Sequence, residues 1–158
     1  VPTIKAENGT RICVINGHFN LGSNSAIQRE RQVREALNTA TSVNKNCAID
    51  SSISPLANVV LCGDFNATPQ SSSVKLVLNS GLSDSWDYAT SAVLKEKDGN
   101  TWCCRNEMTQ AMFDEPDCRI DFVFFNKITF ECEECKVVLC DPPYLSDHFG
   151  VMVSLRPH

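Results

Sequence analysis

The chain has 158 residues and a formal net charge of -5, from 14 Lys plus Arg against 19 Asp plus Glu; 42% of residues are hydrophobic and 21% charged. This is the length of one ordinary domain, too apolar for a disordered chain and too mixed for a fibrous one. The mild acidity supplies no long-range attraction to nucleic acid or anionic membrane, although a local patch overrides so small a net charge, and no apolar stretch reaches bilayer-spanning length, so no transmembrane segment is expected.

In chain order, Asn8-Gly9 is a turn signal and Arg11 to Asn16, RICVIN, reads as a strand. A polar loop follows. From Ala26 to about Val43, the residues Ala26, Val33, Leu37 and Ala40 recur at helical steps or multiples of them. The charges of that helix (Arg29, Glu30, Arg31, Arg34, Glu35) read first as a solvated face, with a basic binding face as the alternative. Asn44 to Pro55 reads as a long polar loop or an irregular end to the helix, and Asn58 to Cys62, NVVLC, as a buried strand. Ser71 to Leu78 predicts a helix with Ser71 or Ser72 as N-cap and Gly81 beyond its end. Ser83 to Gly99 is hard to assign. Arg119 to Asn126, RIDFVFFN, predicts a strand, as do Ile128 to Glu131, Lys136 to Cys140 and Phe149 to Leu155. The order predicts an α/β fold, a mixed β-sheet with helices on one face.

There are nine cysteines, an odd number, and several sit in apolar runs (ICVI, VVLC, KVVLC). They read as thiols acting as small core hydrophobes, which predicts a reducing, cytoplasmic compartment. The first residues, VPTIKAENGT, lack the apolar stretch of a signal peptide. Cys132 and Cys135 have the spacing of half a zinc site, and Cys103-Cys104 and Cys118 would complete it only at poor spacing. A strand and turn carrying thiols is the better reading.

Polar residues mark the ends of the apolar strands. His18 follows RICVIN, Asp64 and Asn66 follow NVVLC, Asp121 lies inside RIDFVFF, and Asp147 and His148 precede FGVMVSL. Singly, each has an ordinary explanation: a loop histidine, an Asx-turn in GDFN, an Asp121–Arg119 ion pair, a turn cap at Asp147-His148. If the strands lie side by side, the groups converge at one sheet edge, where ligands bind in α/β proteins. Hard oxygen donors suit Mg²⁺ or Mn²⁺ rather than zinc, and an imidazole beside a carboxylate is an oriented proton carrier or cationic stabiliser. Phosphate ester hydrolysis needs those parts.

The pieces INGHFN, VVLCGDFNATP, GLSDSW, GNTWCCRN, RIDFVFF and LSDHFGVMVSL, in that order, resemble the C-terminal half of the endonuclease/exonuclease/phosphatase superfamily, the DNase I-like enzymes. The resemblance covers nearly the whole chain, and GLSDSW, GNTWCCRN and RIDFVFF are similar to neutral sphingomyelinases. It implies a metal-dependent phosphodiesterase that acts by direct attack of water on a phospholipid headgroup or, alternatively, on nucleic acid. In that family pattern Asp64 activates the water and Asn66 contacts the phosphate and positions that water. His148, oriented by Asp121, bonds phosphate oxygens; His18 stabilises the transition state; Asp147 helps to hold Mg²⁺. Gly17 stands where such enzymes usually carry Thr. The family's metal-binding Glu cannot be placed, since Glu7 sits in the wrong motif. Residues 1–158 are therefore expected to be the C-terminal part of a DNase I-like sandwich. Its second sheet face would be bare, or covered by the missing N-terminal half or a partner chain. A non-catalytic binding module is the other expectation.

Overall fold

The computed structural model describes residues 3–5, 11–47, 55–88, 99–110 and 116–158. Glu7, the Asn8-Gly9 turn, most of the polar loop before Pro55 and residues 89–98 lie outside the described residues. The order is β1 (Thr3–Lys5), β2 (Arg11–His18), a single 3₁₀ turn, α1 (Ala26–Cys47), β3 (Val59–Asp64), α2 (Ser72–Asn79) and β4 (Ser83–Asp84). Then come α3 (Ser85–Tyr88), α4 (Glu107–Gln110), β5 (Asp121–Phe125), β6 (Phe130–Val138) and β7 (Gly150–Pro157).

Five strands form one mixed sheet, ordered β1-β2-β3-β5-β4. The β2–β3 pair is parallel and the others antiparallel. Side chains alternate between faces along each strand. One face presents Cys13, Ile15, Val59, Leu61, Phe122 and Phe124 to Val33 and Ala40 of α1 and Val74 and Val77 of α2. Phe65, in the loop after β3, fills the same layer, packing on Phe19, Phe122 and Phe124 at ring-centroid distances of 4.4, 5.4 and 5.2 Å. Both helices thus lie on one face, as the sequence predicts. The helix α1 runs past Val43 because the buried Asn44 side chain donates to the Pro55 carbonyl at 3.0 Å. The Ser71 hydroxyl caps α2 by accepting from the Val74 amide, and Gly81 turns the chain at φ 96°.

Other expectations change too. The predicted pair of strands after β5 is one strand, β6. Residues before Phe130 form a turn, in which the Asn126 side chain accepts from the Ile128 amide at 2.9 Å. A bulge between Cys132 and Glu134 lets β6 stay paired with β7 along its length. The second sheet face is also not bare throughout. The β6–β7 hairpin lies over it, packing Phe130, Cys132, Cys135, Val151, Val153 and Leu155 with Phe125, Ile12 and Trp86. Cys132 and Cys135 are core thiols there, with Ser85 as neighbour of both. Val14, Val60 and Val123 on the same face stay partly exposed.

Beneath the hairpin, Arg119 and Asp84 form a buried ion pair at 2.7 Å. The guanidinium also sits over the Phe122 ring, 4.7 Å from its centroid. Arg119 therefore pairs with Asp84 and leaves Asp121 to another partner.

Candidate active site

Strand register sets the site. His18 is opposite Asp64 across the β2–β3 pair, and Asp64 is opposite Asp121 across the β3–β5 pair. One row across three strands therefore carries an imidazole and two carboxylates, all on the face away from α1 and α2. Gly63 allows the close fit. Its φ is 127°, and a Cβ there would lie 1.9 Å from the Gly17 carbonyl oxygen. Gly17, at the position of the expected Thr, faces the Phe19 ring instead of the site: a Cβ there would meet it at 3.1 Å.

Asn66 closes the row at its β3 end. With φ 45°, its backbone amide donates to Asp64 Oδ1 at 2.7 Å. Its side-chain amide donates to the Phe19 carbonyl at 2.8 Å and to Asp64 Oδ2 at 3.2 Å. The Asx-turn reading of GDFN is thus realised, and the turn itself aims the Asp64 carboxylate.

His148 arrives from the loop before β7. Its Nδ1 is 2.8 Å from Asp121 Oδ2 and its Nε2 is 3.9 Å from Asp64 Oδ2. His18 Nε2 approaches the same Asp64 oxygen at 3.4 Å, but its side chain is 76% exposed, so it stands at the mouth of the site. The hydrogen bond that Nδ1 donates to the Asp121 carboxylate holds the His148 imidazolium to higher pH than usual. Burial pushes the Asp64 carboxyl up, and the nearby charge of Asp121 adds to this.

The ligand atoms of Asp64, Asp121 and His148 lie within 4.8 Å of one another. Two half-buried carboxylates this close repel, and a divalent cation would relieve that cost. The two carboxylates are hard oxygen donors, which fit Mg²⁺ or Mn²⁺, and His148, with Nδ1 engaged by Asp121, offers only Nε2 beside them. Asp147 adjoins His148 but is not in that cluster. Its carbonyl accepts from the Thr109 hydroxyl at 2.6 Å and its Oδ1 from the Ser146 hydroxyl at 3.2 Å.

Several supporting residues carry no signal that sequence reasoning can use. The Thr101 hydroxyl accepts from the Ile120 and Asp121 amides, fixing the start of β5. The Asn106 side chain donates to the Ser146 carbonyl at 2.7 Å. The buried Trp102 ring meets His148 edge-on, centroids 5.0 Å apart. All three lie in GNTWCCRN, a segment that stands out by resemblance but whose composition assigns no role.

Residues 45–148 match the model of the Endonuclease/Exonuclease/phosphatase family. The chain belongs to this family. No curated protein matches it by sequence. Among solved structures, it is similar to the human Nocturnin catalytic domain with bound sulfate, at TM-score 0.69 and 18% identity over 99% of this chain and 51% of that one. It is also similar to D. rerio TDP2 complexed with a single-strand DNA product, at TM-score 0.64 and 18% identity over 94% and 58%. A third is a Bacteroides thetaiotaomicron mannosyl-6-phosphatase, at TM-score 0.60 and 23% identity over 95% and 53%. The shared property is the family's DNase I-like fold, and this chain spans about half the length of the structures it matches. No helix of the described residues is long and apolar enough to cross a membrane.

Proposed function

We propose that this chain is the C-terminal part of a divalent-cation-dependent hydrolase of phosphate esters, acting by direct attack of water. The observation that carries the reading is the 2.8 Å contact of His148 Nδ1 with Asp121, which leaves Nε2 turned toward Asp64. Asp64 accepts the proton of the attacking water, and Asn66 holds its carboxylate and reaches the phosphate. The imidazolium of His148 donates from Nε2 to phosphate oxygens, and the exposed His18 adds a second donor at the mouth. Asp64, Asp121 and Asp147 are the oxygens that would hold a Mg²⁺ or Mn²⁺ ion, which supplies charge neutralisation at the phosphate.

The substrate we favour is a phosphodiester of the phospholipid headgroup class, as the likeness of GLSDSW and GNTWCCRN to neutral sphingomyelinases implies. A nucleic-acid phosphodiester is the second reading, favoured by the similarity to a TDP2 structure that holds a DNA product. The test uses the full-length gene product with Mg²⁺ and bis-p-nitrophenyl phosphate, then sphingomyelin vesicles and plasmid DNA side by side. Hydrolysis lost in His148→Ala and Asp64→Asn supports the site. A His148→Ala enzyme as active as the parent overturns it, and a cleanly folded parent with no cation-dependent hydrolysis leaves the non-catalytic module as the reading.

A further inference from the structure

A second group of metal-ligating side chains lies outside the catalytic row. The Sγ atoms of Cys103 and Cys104 and a carboxylate oxygen of Asp117 all fall within 4.8 Å of one another. Cys103 Sγ donates to Asp117 Oδ2 at 3.1 Å, and the Cys104 amide donates to Oδ1 at 2.7 Å. The backbone holds this geometry independently of the side chains. Trp102 and Cys118 form an antiparallel bridge, with amide-to-carbonyl distances of 3.0 Å and 2.9 Å in the two directions. The Thr101 amide also donates to the Cys118 carbonyl, and the Asn106 amide to the Cys103 carbonyl. Residues 101–106 and 117–118 thus meet as one clip, with two sulfurs and a carboxylate at one corner.

The donors differ in kind from those of the catalytic row. Thiolates select zinc-like ions over magnesium, and a carboxylate is an accepted companion ligand. A thiol already hydrogen-bonded to a carboxylate needs only to exchange its proton for a cation. Cys103 is buried and Cys104 exposed, so the corner is fixed on one side and open to solvent on the other.

We propose that Cys103, Cys104 and Asp117 form a binding site for a thiophilic divalent cation of the zinc class, distinct from the hydrolytic site. Three protein ligands leave a fourth position for water, as in open zinc sites. The ion would clamp the segment that carries Trp102, whose ring packs on His148. The inference does not depend on the hydrolytic reading, and its test does not read hydrolysis.

The reduced protein is titrated with Cd²⁺, whose thiolate bonds absorb in the ultraviolet, and separately with Zn²⁺ against a chromogenic chelator. One equivalent per chain is expected, with excess Mg²⁺ failing to displace it. Cys104→Ser, at an exposed position that leaves the core intact, is expected to abolish the thiolate band. Asp117→Asn is expected to weaken binding by at least about tenfold. Cys135→Ala, in the other cysteine pair, is expected to bind as the parent does. A band that survives Cys104→Ser, a band lost only with Cys135→Ala, or no stoichiometric binding by the reduced, folded parent would each overturn the site.

Discussion

His148 Nδ1 and Asp121 Oδ2 lie 2.8 Å apart although Asp121 opens β5 of one sheet and His148 sits in the loop that leads into β7 of the other. The pairing fixes which nitrogen of the ring is turned toward Asp64. It also lets the imidazole stay protonated to higher pH, because the carboxylate hydrogen-bonds the charged form. Asp121→Asn removes the charge and keeps the shape. We expect kcat to fall by about 10²–10⁴-fold, the range for losing a positioned acid or base. The alkaline limb of the pH profile should move to lower pH in the same variant. A variant with unchanged limbs would show that Asp121 only packs against the ring.

On the proposed mechanism the parent protein should show a bell-shaped kcat/KM. The rising limb belongs to Asp64, which must be ionised to take a proton from water and which burial holds above the ordinary carboxylate value. The falling limb belongs to His148 and should lie above about pH 6.5, the ordinary imidazole value, since Asp121 holds it higher. Raising the Mg²⁺ concentration should shift the rising limb to lower pH, because cation and proton compete for Asp64. Stopped assays across pH at several Mg²⁺ concentrations check both limbs.

Much of this site was legible from residue order alone. His18, Asp64, Asn66, Asp121 and His148 each stand at the end of, or within, an apolar strand, and strand alternation places Asp121 opposite Ile120 and Phe122. What residue order does not contain is pairing at a distance. Arg119 and Asp121 are two residues apart, so a pair between them is the local guess. Burial instead delivers Arg119 to Asp84, 35 residues away, and leaves Asp121 for His148. The same limit hides Trp102, whose segment has no periodicity and gains its meaning only when β7 brings His148 beside it. The bulge in β6 merges two predicted strands for a related reason, since only the partner strand shows that the pairing continues.

Asp64 should be costly to stability as well as needed for activity. A group with a folded pKa above its unfolded one makes its stabilising contribution below the unfolded value, and that contribution is lost as pH rises through the folded value. For both Asp64 and His148 the folded value is the higher. Without added cation, stability should therefore decline from mildly acidic pH upward. Asp64→Asn keeps an acceptor for the Asn66 amide and removes the buried charge. It should gain about 0.5–2 kcal/mol above pH 5, the usual scale of such active-site trade-offs, while hydrolysis is lost. Urea unfolding at pH 4 and pH 7 tests this; no gain at pH 7 would mean the charge is already compensated.

The Arg119–Asp84 pair should behave oppositely. Both side chains are nearly inaccessible, at 9% and 4% relative exposure. Removing one partner strands the other in an apolar layer, so Asp84→Ala should cost about 3–5 kcal/mol. Replacing both, as Asp84→Leu with Arg119→Met, should recover much of that loss, because no unpaired charge remains. Urea midpoints of the two single variants and the double variant decide the matter. A double variant as unstable as Asp84→Ala would mean that the Arg119 contact with the Phe122 ring, rather than the ion pair, is what the core requires.

Trp102 links stability to the site. Its ring is 7% exposed and meets His148 edge-on at 5.0 Å. Deleting it should leave a cavity costing about 3–5 kcal/mol. The imidazole would then be held by Asp121 alone and could tilt about the Nδ1 contact. A displacement on the scale of 1 Å is enough to lower kcat by about 10²-fold. Trp102→Phe keeps an aromatic edge at the same place and should restore most of the rate while recovering only part of the stability. The separation of those two recoveries identifies a positioning role. If rate and stability recover in proportion, Trp102 serves the fold and the orientation of His148 comes from Asp121 alone.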